Sequence, residues 1–266
     1  MSNANTSDQW YANWFDTPYY HILYRDRDYK EAGAFMQRLT QRIRLHNNAH
    51  IMDLACGRGR HSMYLNQLGY RVTGVDLSES SIAFAKAELR KSSSQGSNNA
   101  TNDILSPIDA SRIEFHVHNM TVPYDQTFDA VFNLFTSFGY FDDAADNLKT
   151  IKAIKENLKP GGYGVIDFMN SNYVIKNLVA QNSKTEEGIT FYNSRRFEDG
   201  FIYKDIKFSD NDHDYHFTER VSALTLEDFQ SYFKEAGLDL IDVYGNYHLE
   251  DYDEKTSDRL IMVFRN

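Results

Sequence analysis

The hydrophobic pattern alternates between short apolar runs and longer segments in which apolar residues recur every three or four positions. The short runs are bounded by turn residues and are typical of buried strands in a parallel sheet. Strands are predicted at 50–53, 71–75, 112–117, 128–134 and 163–168. Because helical segments lie between these strands, the pattern predicts an alternating α/β fold.

Each predicted helix carries one apolar stripe, as in the first, where Phe35, Leu39 and Ile43 are spaced four residues apart. Ser78 and Thr225 precede two of the helices as capping residues, and Asp228 completes a capping box with Thr225. A stretch rich in Ser, Asn and Gly, 91–111, predicts an exposed loop. The helices are predicted at about 28–45, 60–68, 78–90, 143–158 and 225–236.

The pattern changes after the fifth strand. Three β segments joined by tight turns at Asp199-Gly200 and Asn211-Asp212 predict a small antiparallel sheet, inserted at about 189–223. Two final strands, at 238–244 and 260–264, then complete the main sheet.

The N-terminal segment is unusually aromatic and fits no helical or strand period. This favours a segment that folds as a lid across a bound ligand. We therefore expect a lid segment at 1–27 and one α/β domain at 28–266 that carries the insert. The aromatic residues are Trp10, Tyr11, Trp14, Phe15, Tyr19, Tyr20 and Tyr24.

The candidate chemistry lies between the first two strands. Asp53 ends the first strand, the turn Cys56-Gly57-Arg58-Gly59 follows, and Asp76 ends the second strand. Glycines let a ligand approach the backbone without a Cβ in the way, and an acid at the second strand tip can accept hydrogen bonds from both ribose hydroxyls. A dinucleotide-binding turn would have a third Gly or Ala where this chain has Ser62, so a nicotinamide-dependent oxidoreductase is disfavoured.

This pattern resembles motif I of class I S-adenosylmethionine (SAM) methyltransferases, D-x-x-C-G-x-G. Three further motifs follow in the family's order: Asn119-Met120 after the third strand, Phe128-Asp129-Ala130-Val131 (F-D-x-V) and Leu158-Lys159-Pro160-Gly161-Gly162 (L-x-P-G-G). The resemblance implies a Rossmann-like fold, with a mostly parallel seven-stranded sheet, helices on both faces and a three-stranded antiparallel insert after strand five.

The resemblance also implies SAM as the cofactor and no metal. In the family a basic residue near the N-terminus holds the SAM carboxylate, and by position this is Arg27. Asn119 replaces the commoner acid that holds adenine, but its amide can still donate and accept. The implied cofactor-binding residues are Tyr20, Arg27, Asp53, Ala55, Gly57, Gly59, Asp76, Leu77, Asn119, Met120 and Leu134.

A narrower resemblance concerns the segment NLFTSFGY at 133–140 and the inserted sheet, which are similar to aminosugar N,N-dimethyltransferases and, more distantly, to glycine N-methyltransferases. It implies a small-molecule acceptor, with an amine favoured over a hydroxyl. Tyr140 and His216 are the candidate catalytic or substrate-contacting residues. The alternative interpretations are that Tyr140 only packs against its aromatic neighbours and that His216 is an exposed strand residue without a role. Further candidates are His213, Glu219 and Arg196.

Composition limits the partners. The net charge of −10 disfavours nucleic acids and anionic membranes, and the post-strand-four sequence lacks the [D/N]-P-P-[Y/F] signature of nucleic-acid amino-methyltransferases. Cys56 is the only cysteine, no signal peptide is evident and no apolar run approaches a membrane span, so we expect a cytoplasmic protein. A homodimer through the inserted sheet and a catalytically silent SAM-fold binding module remain open.

Overall fold

The computed structural model describes residues 10–24, 29–94, 106–141 and 143–266. Its centre is a seven-stranded sheet in the order β3-β2-β1-β4-β5-β11-β10, which confirms the predicted fold class. The strands, in chain order, are β1 (His50–Leu54), β2 (Arg71–Asp76), β3 (Ile113–Val117), β4 (Phe128–Asn133), β5 (Leu158–Met169), β6 (Gln181–Glu186), β7 (Ile189–Glu198), β8 (Phe201–Asp210), β9 (His213–Ser222), β10 (Asp239–Tyr244) and β11 (Arg259–Arg265).

The first five strands run parallel, and β11 and β10 add an antiparallel edge. The chain builds outward from β1 through β2 to β3, and then crosses to β4 on the other side of β1. In open α/β sheets, ligands bind beyond the carboxyl ends of the strands at such a reversal of strand order. The fold therefore places the candidate site at the ends of β1, β2 and β4.

Helices cover both faces of this sheet. Phe35 and Leu39 of α3 belong to the core on one face together with α4 and α5, while Phe229 and Phe233 of α8 pack with α6 on the other. None of the described helices combines the length and apolar character needed to cross a membrane. The α-helices are α1 (Trp10–Phe15), α2 (Pro18–Leu23), α3 (Tyr29–Arg42), α4 (Arg60–Gln67), α5 (Glu79–Ser94), α6 (Ala144–Asn157), α7 (Ser171–Lys176) and α8 (Leu226–Ala236).

Two sequence predictions need correction. The inserted sheet has four strands rather than three, in the order β6-β7-β8-β9. Its extra strand, β6, reads QNSKTE and is mostly exposed, so it carries no apolar alternation by which it could be recognised. Helix α5 also continues four residues beyond Arg90, into the predicted loop, and Lys91 pairs with Glu88 at 2.6 Å within it.

The aromatic N-terminal segment contains two helices of six residues each, which are too short for a helical period to show in the sequence. Thr17 caps α2 and Pro18 begins it. The segment forms a separate core with the inserted sheet, in which Trp14 is 1% exposed and its ring lies 4.5 Å from Phe217. Residues 10–24 of the predicted lid therefore form one packed unit with the insert.

Candidate functional site

The turn between β1 and α4 contains two glycines that serve different purposes. Both have left-handed backbones, with φ of 54° at Gly57 and 78° at Gly59. A Cβ at Gly57 would meet no atom within 4 Å, whereas a Cβ at Gly59 would lie 2.6 Å from the Phe115 ring. Gly57 thus leaves open space for a ligand, while Gly59 lets α4 pack closely on β3. Ala55, with φ of 61°, completes the irregular turn.

Asp76, at the tip of β2, is tied to this turn. One carboxylate oxygen accepts a hydrogen bond from Gly57 N at 2.8 Å, and the other accepts from Ser78 N at 2.9 Å. Burial raises the pKa of Asp76 above its usual range, and these backbone hydrogen bonds oppose that rise. Leu77 beside it is 41% exposed, so a carboxylate that can accept hydrogen bonds lies next to an exposed apolar side chain.

Asp53 and Cys56 lie beneath the turn rather than on its open side. Ser62 Oγ donates to Asp53 Oδ2 at 2.5 Å, and Asp53 is 2% exposed. Burial raises the pKa of Asp53 to about 6, against the lowering effect of the Ser62 hydrogen bond. Burial also raises the pKa of the Cys56 thiol well above its usual range, so Cys56 acts as a packing residue rather than as a nucleophile.

The loop after β3 contributes Asn119 and Met120. The Asn119 side-chain oxygen accepts from Thr121 N and Thr121 Oγ1, both at 3.0 Å, so it is engaged within the turn. Asn119 is exposed, and its NH₂ group is the part suited to donate to an adenine ring nitrogen. Met120 is half-buried against the core.

The loop after β4 brings Leu134 and Tyr140 to the same edge of the sheet. Asn133 Nδ2 donates to Leu54 O and Ser137 O, both at 3.1 Å, which joins the loop to the end of β1. The Tyr140 hydroxyl donates to Thr136 O. Leu134 is buried against the core beside β1, and Tyr140 projects toward the N-terminal helices.

The N-terminal helices contact both sides of this site. Tyr140 has its ring 5.5 Å from Trp10 and 5.3 Å from Phe15. Asp16, between α1 and α2, accepts hydrogen bonds from the hydroxyls of Ser78 and Ser80, directly after Asp76. The segment therefore spans from the β2 end of the site to the β4 end.

Tyr20 lies within this aromatic cluster, 4.9 Å from the Phe15 ring. Next to it, burial lowers the pKa of His21 to about 4, with a further contribution from the charge on Arg58. The other N-terminal residue implied by the resemblance, Arg27, lies outside the described residues.

The insert places its candidate residues on opposite faces. Glu219 faces the N-terminal helices, and its carboxylate accepts from Trp14 Nε1 at 2.8 Å and from the Tyr24 hydroxyl at 2.7 Å. His216 alternates with Phe217 and so points to the other face, where it lies 3.3 Å from Asp205 Oδ1. Arg196 pairs with the same Asp205 at 2.6 Å, and His213 is exposed near the β8–β9 turn.

The structure thus joins Tyr140 and Tyr20 in one aromatic cluster, connects this cluster to the residues after Asp76 through Asp16, and leaves His216 on the outer face of the insert. Sequence reasoning missed Asp16, Asp167 and Arg259, which hold the loops around that site. Asp167 had a detectable signal, because it is an acid within the apolar run of β5. Asp16 had none, since its partners Ser78 and Ser80 are more than 60 residues away.

A glycine turn with open space at Gly57, an acid at the tip of the second strand and this strand order together define a SAM-dependent methyltransferase. The chain belongs to the family described as a methyltransferase domain, which matches residues 45–237.

Relatives agree with this assignment. Glycine N-methyltransferase of Rattus norvegicus is 28% identical over 137 residues, which is 50% of this chain and 44% of the rat enzyme, so this chain spans less than half of that relative's length. A SAM-dependent methyltransferase from Clostridium acetobutylicum has a similar fold, with a TM-score of 0.74 at 22% identity over 95% of this chain and 98% of that one. CalS10, an amino pentose methyltransferase from Micromonospora echinaspora, also has a similar fold. Its TM-score is 0.66 at 18% identity, over 94% of this chain and 97% of CalS10. At these identities the two structures show the fold alone.

We predict that Asp76→Ala weakens SAM binding by about 1–3 kcal/mol, or roughly ten- to a hundredfold, because a charged acceptor for two hydroxyls is lost. Gly57→Leu should weaken binding further by filling the open space. Calorimetric titration with SAM measures both. Asp125→Ala and Gly188→Leu are the controls, since Gly188 also has a left-handed backbone and an open Cβ position but lies in the insert. Normal SAM affinity in folded Gly57→Leu protein would place the cofactor elsewhere.

A second prediction concerns Asp53. The folded carboxyl keeps its proton up to about pH 6, whereas an unfolded one loses it near pH 3.8. The folded state therefore binds more protons in this window, and stability falls as pH rises through it. Relative to Asp53→Asn, wild type should lose about 2–3 kcal/mol of unfolding free energy between pH 4 and pH 7. Urea unfolding at several pH values tests this, and parallel profiles for the two proteins would contradict it.

Proposed function

We propose that this enzyme transfers the methyl group of SAM to a small molecule, and that the acceptor atom is an amine nitrogen. The observation that carries the proposal is the contact of Tyr140 with Trp10 and Phe15, which joins the post-β4 loop to the N-terminal helices beside the cofactor turn. An acceptor enclosed there is limited to a small molecule.

Our proposed cofactor contacts follow the geometry of the turn. Gly57 provides room, Asp76 accepts from the ribose, Asn119 donates to adenine, and Leu77 and Met120 flank the ring. Asp53 supports the turn from below, through Ser62. When bound, SAM supplies a methyl group already activated by its sulfonium. We extend the assignment to Ala55, Gly59, Leu134, Tyr20 and Arg27 on the resemblance to the family.

The protein's task is then alignment and exclusion of water. Correct alignment of reacting groups can supply about 7–11 kcal/mol of a barrier. The Tyr140 hydroxyl, by donating to Thr136 O, sets the shape of its own loop, and the rings of Trp10, Phe15 and Tyr20 exclude water around it. Such a desolvated environment lowers the pKa of an amine and favours its neutral, nucleophilic form.

The local bases favour an amine over a hydroxyl acceptor. His21 is in ring contact with Tyr20, at 5.2 Å, and its lowered pKa of about 4 makes it a weak base at neutral pH. A hydroxyl needs a stronger base than an amine does before it attacks. His216 lies on the far face of the insert and is the less favoured candidate. The named activity of the rat enzyme, an N-methyltransferase, agrees with an amine. An O-methyltransferase is the second candidate, and a catalytically silent module is the third.

The remaining parts of the proposal concern the setting of the enzyme. We propose a lid at 1–27 on a methyltransferase domain at 28–266, a cytoplasmic location and no nucleic-acid substrate. A homodimer through the outer face of the insert is supported by the exposed Tyr192 and by the Arg196–Tyr203 pair on the same face, since Tyr and Arg are enriched in interfaces. Light scattering that finds a monomer at micromolar concentration would contradict the dimer.

We predict that a panel of small primary and secondary amines, matched with the corresponding alcohols, yields S-adenosylhomocysteine only in the amine series. Mass spectrometry of the product would locate the added 14 daltons on nitrogen. Rates should rise with pH until the acceptor amine is deprotonated. Methylation of the alcohols alone would replace this proposal by the O-methyltransferase, and turnover on nucleic acid alone would overturn both.

We predict that SAM slows hydrogen exchange in 10–24, because this segment bridges both ends of the site. Asp16→Ala removes the acceptor for Ser78 and Ser80 and should reduce that protection and weaken SAM binding several-fold. Asp214→Ala, at an exposed position in the insert, is the matched control. Equal exchange of 10–24 with and without SAM would leave the segment as static packing.

A further inference from the structure

The loop after β4 begins with two strained residues. Phe135 and Thr136 have φ of 59° and 62°, in the left-handed region that bulky and β-branched residues rarely adopt. Such strain persists only where the surrounding structure imposes it, and it is concentrated at functional sites. The question is therefore which groups hold these two residues.

Asp167, fully buried on β5, holds the backbone of both. Its Oδ2 accepts from Phe135 N at 2.8 Å, and its main-chain oxygen accepts from Thr136 N at 2.9 Å. The Tyr247 hydroxyl also donates to Oδ2, at 3.2 Å. Asp167 thus holds the first strained amide through its carboxylate and the second through its main-chain oxygen.

Arg259, at the start of β11, completes this arrangement. Its Nε and Nη2 lie 2.8 and 2.5 Å from Asp167 Oδ1, and Nη2 also donates to Thr136 Oγ1 at 3.0 Å. A buried carboxylate needs such a partner, because an unpaired charge in the interior is strongly unfavourable. The forked guanidinium group contacts both Asp167 and the loop. The single ammonium group of a lysine cannot reproduce these paired contacts.

The loop held in this way lies between the cofactor turn and the aromatic cluster. The Phe135 ring stacks on His61 at the start of α4, with centroids 4.5 Å apart and planes 4° from parallel. Five residues further along the chain, Tyr140 contacts the N-terminal helices. A shift of the backbone at 135–136 would therefore move Tyr140 relative to the cofactor turn.

We propose that Asp167 and Arg259 are positioning residues for methyl transfer, which hold the strained loop so that the acceptor is aligned with the cofactor. This inference rests on the proposed function in one respect, namely that the loop contacts the acceptor. Neither residue belongs to the cofactor contacts, so their loss should separate turnover from SAM binding. A purely structural pair would lower both together or neither.

The test is Arg259→Lys, which keeps the charge and removes the fork. We expect kcat to fall about 10- to 100-fold, because a misplaced acceptor loses alignment. The SAM dissociation constant should change by less than about twofold, since the cofactor turn is not in contact with Arg259. Arg265→Lys is the matched control, as it alters the same residue type at the opposite end of the same strand. Unchanged kcat, or a parallel loss of SAM affinity, would overturn the proposal.

A second measurement needs no acceptor. Hydrogen exchange at Phe135 and Thr136 should be faster in Arg259→Lys and in Asp167→Asn than in wild type, while exchange at Gly57 stays unchanged. Equal exchange at 135–136 in all three proteins would overturn the anchoring role even if no acceptor is found. If the wild-type enzyme methylates an alcohol rather than an amine, the amine proposal fails. The comparison of kcat with SAM affinity would still test the positioning role of Asp167 and Arg259.

Discussion

The site depends on two hydrogen bonds that the carboxylate of Asp76 accepts from backbone N–H groups. They join the tip of β2 to Gly57 in the cofactor turn and to Ser78 at the start of α5. The hydroxyl of Ser78 then contacts Asp16 in the N-terminal segment. One carboxylate thus links the glycine turn, the helix after β2 and the segment that lies across the site. Because it is partly buried, this charge stays stable only while those donors remain in place.

The N-terminal segment and the insert depend on each other in a similar way. Short helices such as α1 and α2 are unstable by themselves, and their aromatic rings need an apolar surface. The inner face of the four-stranded sheet supplies that surface, and Glu219 and Lys204 fasten Trp14 and Tyr24 to it. The insert therefore has a clear structural role, which is to carry the N-terminal segment that lies across the site.

Charge is used differently on the two sides of the site. On the cofactor side, Asp53 and Asp76 are acids in partly or fully buried positions, and the pKa of each is raised. At the post-β4 loop, Asp167 is paired with Arg259 and holds a strained backbone. The first arrangement leaves a carboxylate ready to accept from a ligand, whereas the second keeps its charge inside the protein.

The sequence by itself determined the main sheet, its helices and the cofactor turn, because these depend on local periodicity and on glycines and acids at fixed short spacing. It also singled out Tyr140, whose role as a substrate contact stays a prediction. Only the tertiary structure placed His216 on the outer face of the insert, since strand alternation identifies a face only after its partner is known. Strand β6 and the two N-terminal helices were likewise decided by packing, as one lacks apolar residues and the others are shorter than two turns. Asp16 and Arg259 could not be recognised from the sequence either, because the residues they contact lie far away along the chain.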